Sequence, residues 1–324
     1  MSDVADEVDD RASHEPGPPS QRSKVGMVLG SPYANLTLFV ATILSTFFVG
    51  AQMVSDHGHP LRGWIFAVPL LAILVTHEAG HWLYARKHRV DASLPYFLPL
   101  PIPPLGTLGA VIAMRGRIKT RDALLDIGAS GPIAGLLVAL PVLAIGLRLS
   151  TVEPIPQHGF DEGQSLVYLA MKRLVLGPIP STHDVFLHPT AFAGWAGLLM
   201  TMLNLVPVAQ LDGGHVAYAL FGPRQDVYSK RVRYGLLVVA AIVGLVSAFA
   251  KLRIHAPWST VFGALLAGKN WIFWFGVLTL LTRGTGSKHP PTEAGALSPG
   301  RRVIAWAMLA TFVALFMPIV FSEH

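Results

Sequence analysis

The sequence predicts an all-α polytopic membrane protein of about seven transmembrane helices, interrupted by a re-entrant, β-hairpin-like loop. Three observations carry that expectation. Only 14% of the 324 residues are charged and 52% are hydrophobic, against roughly 25% charged in an average soluble domain. The apolar residues gather into runs of about 20, the length a helix needs to cross a hydrocarbon core of roughly 30 Å. Basic residues flank those runs on alternate sides, as the positive-inside rule requires.

Residues 1–31 are acidic and then rich in proline and serine. Six of the 19 acidic residues (Asp3, Asp6, Glu7, Asp9, Asp10 and Glu15) fall in the first 15 positions. Such a segment buries too little apolar surface to offset chain entropy, so a flexible tail is expected. Spans follow at about 34–54, 62–86, 123–148, 191–221, 234–250, 258–282 and 303–321. Gly263, Gly268 and Lys269 make the sixth the weakest. Arg86, Lys87 and Arg89, then Arg115, Arg117, Lys119 and Arg121, then Arg224, Lys230, Arg231 and Arg233 all fall on one side, which places the N-terminus in the cytoplasm. The net charge of +6 is thereby a matter of topology. The cations form no continuous patch with interleaved aromatics, so nucleic acid is not expected as a partner, whereas the lipid bilayer is.

Two connections stand apart. Residues 92–114 are apolar but hold five prolines, which no straight helix tolerates. A re-entrant loop or hairpin satisfies the backbone only against protein or a watery cavity. Residues 149–189 form an insert on the opposite side, with an amphipathic helix expected from Leu166 to Leu176. The membrane-embedded domain runs over 32–322, with its core at about 60–221 and accessory spans over 234–321.

The chemistry sits within two spans. His77-Glu78-Ala79-Gly80-His81 lies inside the second, where ionisable groups are costly and mark function. His77 and His81 stand one turn apart on one helix face, so both imidazoles can reach a single ion. Glu78, rotated about 100° away, can hold a water at the metal without ligating it. A third ligand is expected at matching depth, and Asp212 in the fourth span supplies it. The chain has no cysteine, so thiolate sites and disulfides are excluded. Three protein ligands leave one tetrahedral position open, as in catalytic zinc sites. Two buried histidines satisfied by hydrogen bonds, and an Asp212 that merely caps a helix after Pro207, are the structural alternatives.

His77-Glu78-x-x-His81 together with Asn204-x-x-Pro207-x-x-x-Leu211-Asp212-Gly213 resembles the site-2 protease family of intramembrane zinc metalloproteases. Gly128-Ala-Ser-Gly131-Pro132-Ile-Ala-Gly135 is similar to that family's glycine-proline element. Pro95 to Pro99, Gly106 to Ala110, His188 to Trp195 and His289-Pro-Pro291 resemble its PDZ-less bacterial and chloroplast-type branch. The resemblance implies one Zn2+ per chain on His77, His81 and Asp212, and Glu78 as general base. It implies Asn204 on the substrate or oxyanion, while His215, three residues past Asp212, either donates a hydrogen bond behind the ligands or is merely interfacial. The 94–114 segment would either pair with substrate, through a loop that includes Tyr96, Phe97, Gly106 and Gly109, or serve as a structural plug. The implied partner is a membrane protein cleaved within or near a transmembrane segment, and the implied location is a bacterial inner membrane. A metal-stabilised binding or chaperone module is the alternative, and an intact Glu78 argues against it. A transporter would show inverted repeats, which the second and fourth spans do not. The sequence assigns no oligomeric state.

Overall fold

The computed structural model describes residues 32–53, 60–155, 159–284, 292 and 295–323. The acidic tail over 1–31 and the His289-Pro-Pro291 element lie outside the described residues. Helices dominate, with three two-stranded antiparallel ladders beside them. Five segments are long and apolar enough to cross a membrane: Pro32–Met53, Leu61–Lys87, Arg121–Leu149, Asp212–Arg253 and Trp258–Leu280. That makes the chain a multi-pass membrane protein.

Helix α1 (Pro32–Met53) runs antiparallel to α2 (Trp64–Lys87). Their close approach is set by two glycines. A Cβ on Gly50 would sit 2.5 Å from the Gly63 carbonyl, and one on Gly63 would sit 2.4 Å from the Phe47 carbonyl. The proline-rich 92–114 segment, expected as a re-entrant loop or hairpin, contains a hairpin. Strand β1 (Tyr96–Pro99) pairs with β2 (Thr107–Val111), in the register Tyr96 to Val111 and Phe97 to Ala110. The hairpin lies along α1. Asn35 Nδ2 donates to the Leu94 and Pro95 carbonyls at 2.9 Å each, and Ser45 Oγ donates to the Gly106 carbonyl at 2.6 Å. Ten helical residues separate the two anchors, so the hairpin tip reaches about 15 Å along α1 from its base.

The core is a three-helix ladder of α2, α3 (Arg121–Leu149) and α5 (Pro189–Asn204), with α4 (Leu166–Leu176) beside it. Helix α3 is antiparallel to the other two, and small residues mark each rung. A Cβ on Gly146 would meet Ala191 N at 2.1 Å, one on Gly194 would meet Leu143 Cα at 2.7 Å, and one on Gly197 would meet Ile73 at 2.9 Å. Small residues let helices approach where lipid offers no hydrophobic drive to associate. Thr190 Oγ1 donates to the Ile65 carbonyl at 3.1 Å, tying the start of α5 to the start of α2. At that end His188 caps α5, its Nδ1 accepting from Thr190 N at 3.3 Å, and burial holds its imidazole below the ordinary value.

Seven continuous spans are not what the structure shows. The apolar run 191–221 is two helices, α5 and α6 (Asp212–Phe221), separated by residues 205–211. Pro207 offers no N–H and Ala209 sits at φ 51°, so no helix can pass. Gly213 and Gly214 let this loop fold back onto α6, since Cβ atoms there would lie 1.9 Å from the Leu205 carbonyl and 2.2 Å from that of Ala209. Helix α7 (Gln225–Arg253) covers the fifth expected span. The sixth is α8 (Trp258–Ala264), a short 3-10 turn and α9 (Lys269–Gly284). The seventh is α10 (Pro299–Leu315), too short at 17 residues to stand among the five candidates.

Helix α10 is clamped to the core by charge. Arg301 grips Asp126 through two bonds of 2.8 and 2.7 Å and reaches Asp122 at 3.2 Å, while His88 lies 2.8 Å from Asp126. This paired fork is the strong form of ion pair. It joins the end of α2, the start of α3 and α10 at one point. The 149–189 insert is a folded cap. Strand β3 (Thr151–Pro154) pairs with β5 (His183–Phe186), and β4 (Phe160–Glu162) pairs with β6 (Phe321–Glu323), so the end of the described chain completes a ladder of the insert.

Candidate metal centre

Helix α2 brings His77, Glu78 and His81 into the core, all three buried. Asp212 arrives as the first residue of α6, where the unpaired N–H groups of the helix start favour a carboxylate. The structure brings the three expected ligands together. His77 Nε2 lies 3.2 Å from His81 Nε2 and 3.2 Å from Asp212 Oδ2, and His81 Nε2 lies 3.3 Å from Asp212 Oδ2. Among the described residues this is the one group of three such side chains close enough to share an ion.

These distances fit zinc. Ligand atoms about 2.0–2.1 Å from a tetrahedral ion are about 3.3 Å apart, which is the edge of the observed triangle. The donor chemistry agrees. Ring nitrogen Nδ1 of His81 lies 2.8 Å from the Ile127 carbonyl. A carbonyl only accepts, so Nδ1 carries the proton and Nε2 turns a lone pair toward the cluster. Access to that carbonyl depends on Gly131, where a Cβ would lie 2.1 Å from His81 Nε2 and 2.5 Å from two ring carbons. A Cβ on Gly135 would stand 3.1 Å from His77 Nδ1, and one on Gly128 would stand 2.7 Å from His215 Cβ. The glycines of α3 are therefore the surface on which the ligands rest.

A cavity of about 140 Å³ opens beside the cluster, lined by Glu78, Asn204, Gln210, His215 and the residues Ala110 to Ile112. The Asn204 amide lies 3.2 Å from His77 Nε2. The expected loop residues divide. Strand β2 forms the wall, and Gly109 on it sits at φ 94° against Met200. Tyr96 and Phe97 lie on β1, the strand away from the cavity, with the Phe97 ring 4.8 Å from Phe39 of α1. Gly106 is docked on α1, where a Cβ would lie 2.9 Å from Thr46 Cα. The Ile127 carbonyl, Gln210 and Ile112 belong to the site but escaped the motif. One is a backbone atom, and the other two carry no residue type that marks chemistry.

Membrane-length helices converging on a buried pair of imidazoles, a carboxylate and an adjacent acid define an integral-membrane metalloprotein of the His-Glu-x-x-His class. Residues 65–247 match the model of Peptidase family M50, and the chain belongs to that family. It is 34% identical over 190 residues to "Probable zinc metalloprotease EGY1, chloroplastic" of Arabidopsis thaliana, covering 55% of this chain and 34% of the relative. Against the EGY2 protein of the same description from Oryza sativa subsp. indica it is 28% identical over 217 residues, covering 64% and 37%. Against EGY1 of Oryza sativa subsp. japonica the values are 31% over 188 residues, 56% and 32%. The chain thus spans about a third of the length of these curated relatives. No solved structure matches it at a significant level.

The ligand assignment has a direct consequence. Asp212→Ala removes the one anionic ligand, so purified protein is expected to fall from about one zinc per chain to less than about a tenth of that. Metal analysis after dialysis measures it. Stoichiometric zinc in Asp212→Ala would exclude this carboxylate from the site.

Proposed function

We propose that the chain is an intramembrane zinc endopeptidase that hydrolyses a peptide bond within or near a transmembrane segment of a membrane-protein substrate. The observation that carries the reading is the ligand triangle with Glu78 opening onto a cavity lined by Ala110 and Val111 of β2 and by Ile112. Zinc held by His77, His81 and Asp212 supplies Lewis acidity, which polarises a carbonyl and lowers the pKa of water. Glu78 takes the proton from the attacking water and passes it to the leaving amine. The Asn204 amide is placed to donate to the substrate carbonyl as its oxygen gains charge. His215, at the cavity wall, supports the ligand face of α6.

A transmembrane helix hides its peptide bonds in its own hydrogen bonds, so it must unwind before it can be cut. Strand β2 offers a substitute. Ala113 faces the β1 side: its carbonyl accepts from Ser93 N and its N–H donates to Ser93 Oγ. By strand alternation Ala110 and Ile112 direct their backbone groups to the other edge, which no described strand occupies. An unwound substrate segment adds there as a third strand. Ile112→Pro deletes one donor from that edge and none from β1. It is expected to lower kcat/KM about five- to tenfold, the worth of roughly 1 kcal/mol per strand hydrogen bond, with zinc content unchanged. An unchanged kcat/KM would show that the edge is not used.

The substrate's own chemistry is that of an apolar helix of bilayer length, and the expected location is a bacterial inner membrane with the N-terminus in the cytoplasm. The activity is tested with purified protein in bilayer nanodiscs and membrane-embedded candidates. Cleavage should stop on metal chelation and return with Zn2+. Cleavage that survives complete zinc removal overturns the reading.

A further inference from the structure

Helix α4 is apolar on both faces: Val167, Tyr168, Met171 and Val175 pack on the core, yet the face turned away from it is apolar too. Tyr168 and Lys172, one turn apart, face inward and are buried. Tyr168 donates to Glu162 Oε1 at 2.7 Å, and Lys172 Nζ lies 3.8 Å from both Glu162 Oε1 and Asp184 Oδ1. The outward face is formed by Leu166, Leu169, Ala170, Arg173 and Leu174, spaced i, i+3, i+4, i+7 and i+8. Leu166 is 65% exposed, Leu169 47% and Leu174 81%. A helix whose outer face met only water would carry polar residues in place of these leucines.

The depth of this helix follows from the ladder. From Ile65 to Lys87, α2 rises about 33 Å, close to a hydrocarbon core of roughly 30 Å. The bond from Thr190 to the Ile65 carbonyl puts the start of α5 at one boundary of that core. Trp195 is five residues further in, about 7–8 Å along the helix, and its side chain leans back toward the helix start. Its Nε1 donates to the Gly163 carbonyl at 2.8 Å, and its ring packs 5.2 Å from Phe321 of β6. Gly163 is two residues before Ser165, whose hydroxyl accepts from Tyr168 N and caps α4. The cap therefore starts at or below the boundary between hydrocarbon and headgroups, not above it.

We propose that α4 is an in-plane interfacial helix whose Leu166, Leu169 and Leu174 face is embedded among phospholipid acyl chains on the Trp64 side of the bilayer, with Arg173 reaching the phosphates. The apolar face meets hydrocarbon, the long cationic side chain reaches the headgroup layer, and the ion cluster is sheltered on the protein side. The insert is then a membrane-bound rim around the core rather than a free aqueous domain. This surface lies well away from the metal cluster, and the inference holds whatever reaction that cluster performs.

The chain has no cysteine, so single cysteines report cleanly. Nitroxides on Leu169→Cys, Leu174→Cys and Ser181→Cys are compared in phosphatidylcholine–phosphatidylglycerol nanodiscs, Ser181 being an exposed turn residue of the same insert. At 169 and 174 the collision rate with oxygen should exceed that with a water-soluble nickel chelate several-fold, and at 181 the order should reverse. Faster nickel collisions at 169 and 174 would place the face in water. Exclusion of both reagents would mean that protein, a second copy included, covers it. Either result overturns the proposal. A second arm uses the unaltered chain in vesicles of a phospholipid with a diazirine in its acyl chain, where adducts are expected within residues 166–174. No adduct there, with adducts on the exposed face of α1, counts against the proposal in the same way.

Discussion

Glu78→Gln is expected to keep about one zinc per chain and to lose cleavage by at least about four orders of magnitude. The two halves of that result come from different atoms. The triangle of His77, His81 and Asp212 is closed without Glu78, with all three edges at 3.2–3.3 Å. Gln has the same length and volume as Glu, and the site is buried but bordered by a cavity that accommodates an amide. Metal content should therefore stay, as should the elution profile and thermal stability. The amide cannot accept a proton from water at neutral pH, and the loss of a general base alone is worth about 10²–10⁴ in rate. Here the same group also returns the proton to the amine, so the loss falls at or beyond the upper end. The measurement is single-turnover cleavage of an embedded substrate beside metal analysis of the same sample. Cleavage at the wild-type rate with zinc present would remove Glu78 from the mechanism. The variant also separates the protease reading from that of a metal-stabilised binding module, which needs the ligands and not the base.

How much of this was legible in the sequence follows from which groups carry it. Spacing alone brought His77 and His81 to one face, because helical periodicity is a strong local rule, and depth arithmetic paired them with Asp212. The broken fourth span was not legible. Leu205 to Leu211 is as apolar as the helices on either side, and hydropathy does not register the φ of Ala209 or the missing donor of Pro207. The hairpin was foreseen from its prolines, but the division of its labour was not. Gly106 serves α1 through Ser45, and Phe97 serves it through Phe39. Both are contacts about 60 residues apart, which no local pattern records. The pairing of β4 with β6 joins residues some 160 positions apart and left no trace in sequence periodicity. The Ile127 carbonyl, which sets the tautomer of His81, has no side-chain signature at all.

That carbonyl explains why a methyl group far smaller than any ligand should abolish the site. Gly131→Ala is expected to lower zinc content well below half and activity by about ten- to a hundredfold, the scale on which loss of an outer-shell partner weakens metal binding. The new Cβ would lie 2.1 Å from His81 Nε2 and 2.5 Å from two further ring atoms, inside any tolerable contact. The imidazole cannot swing aside, because its other nitrogen is held at 2.8 Å by Ile127. Backing α3 away from α2 would relieve the clash only by opening the tight seam between them, where a Cβ on Gly80 would lie 2.5 Å from the Ser130 carbonyl. The neighbours grade the effect. Gly135→Ala, at 3.1 Å from His77 Nδ1, requires only a small shift and should reduce zinc affinity modestly. Gly263→Ala and Gly276→Ala meet nothing within 4 Å and should leave zinc and activity unchanged while raising helix propensity. Competition with a chromophoric chelator ranks the four variants by zinc affinity, and circular dichroism confirms that each is folded. If Gly131→Ala binds zinc as tightly as Gly263→Ala, the α3 glycines pack the bundle and do not seat the ligands. The expected order, with position 131 far below 135 and 135 below 263, ties metal affinity to ångström-scale clearance between two helices.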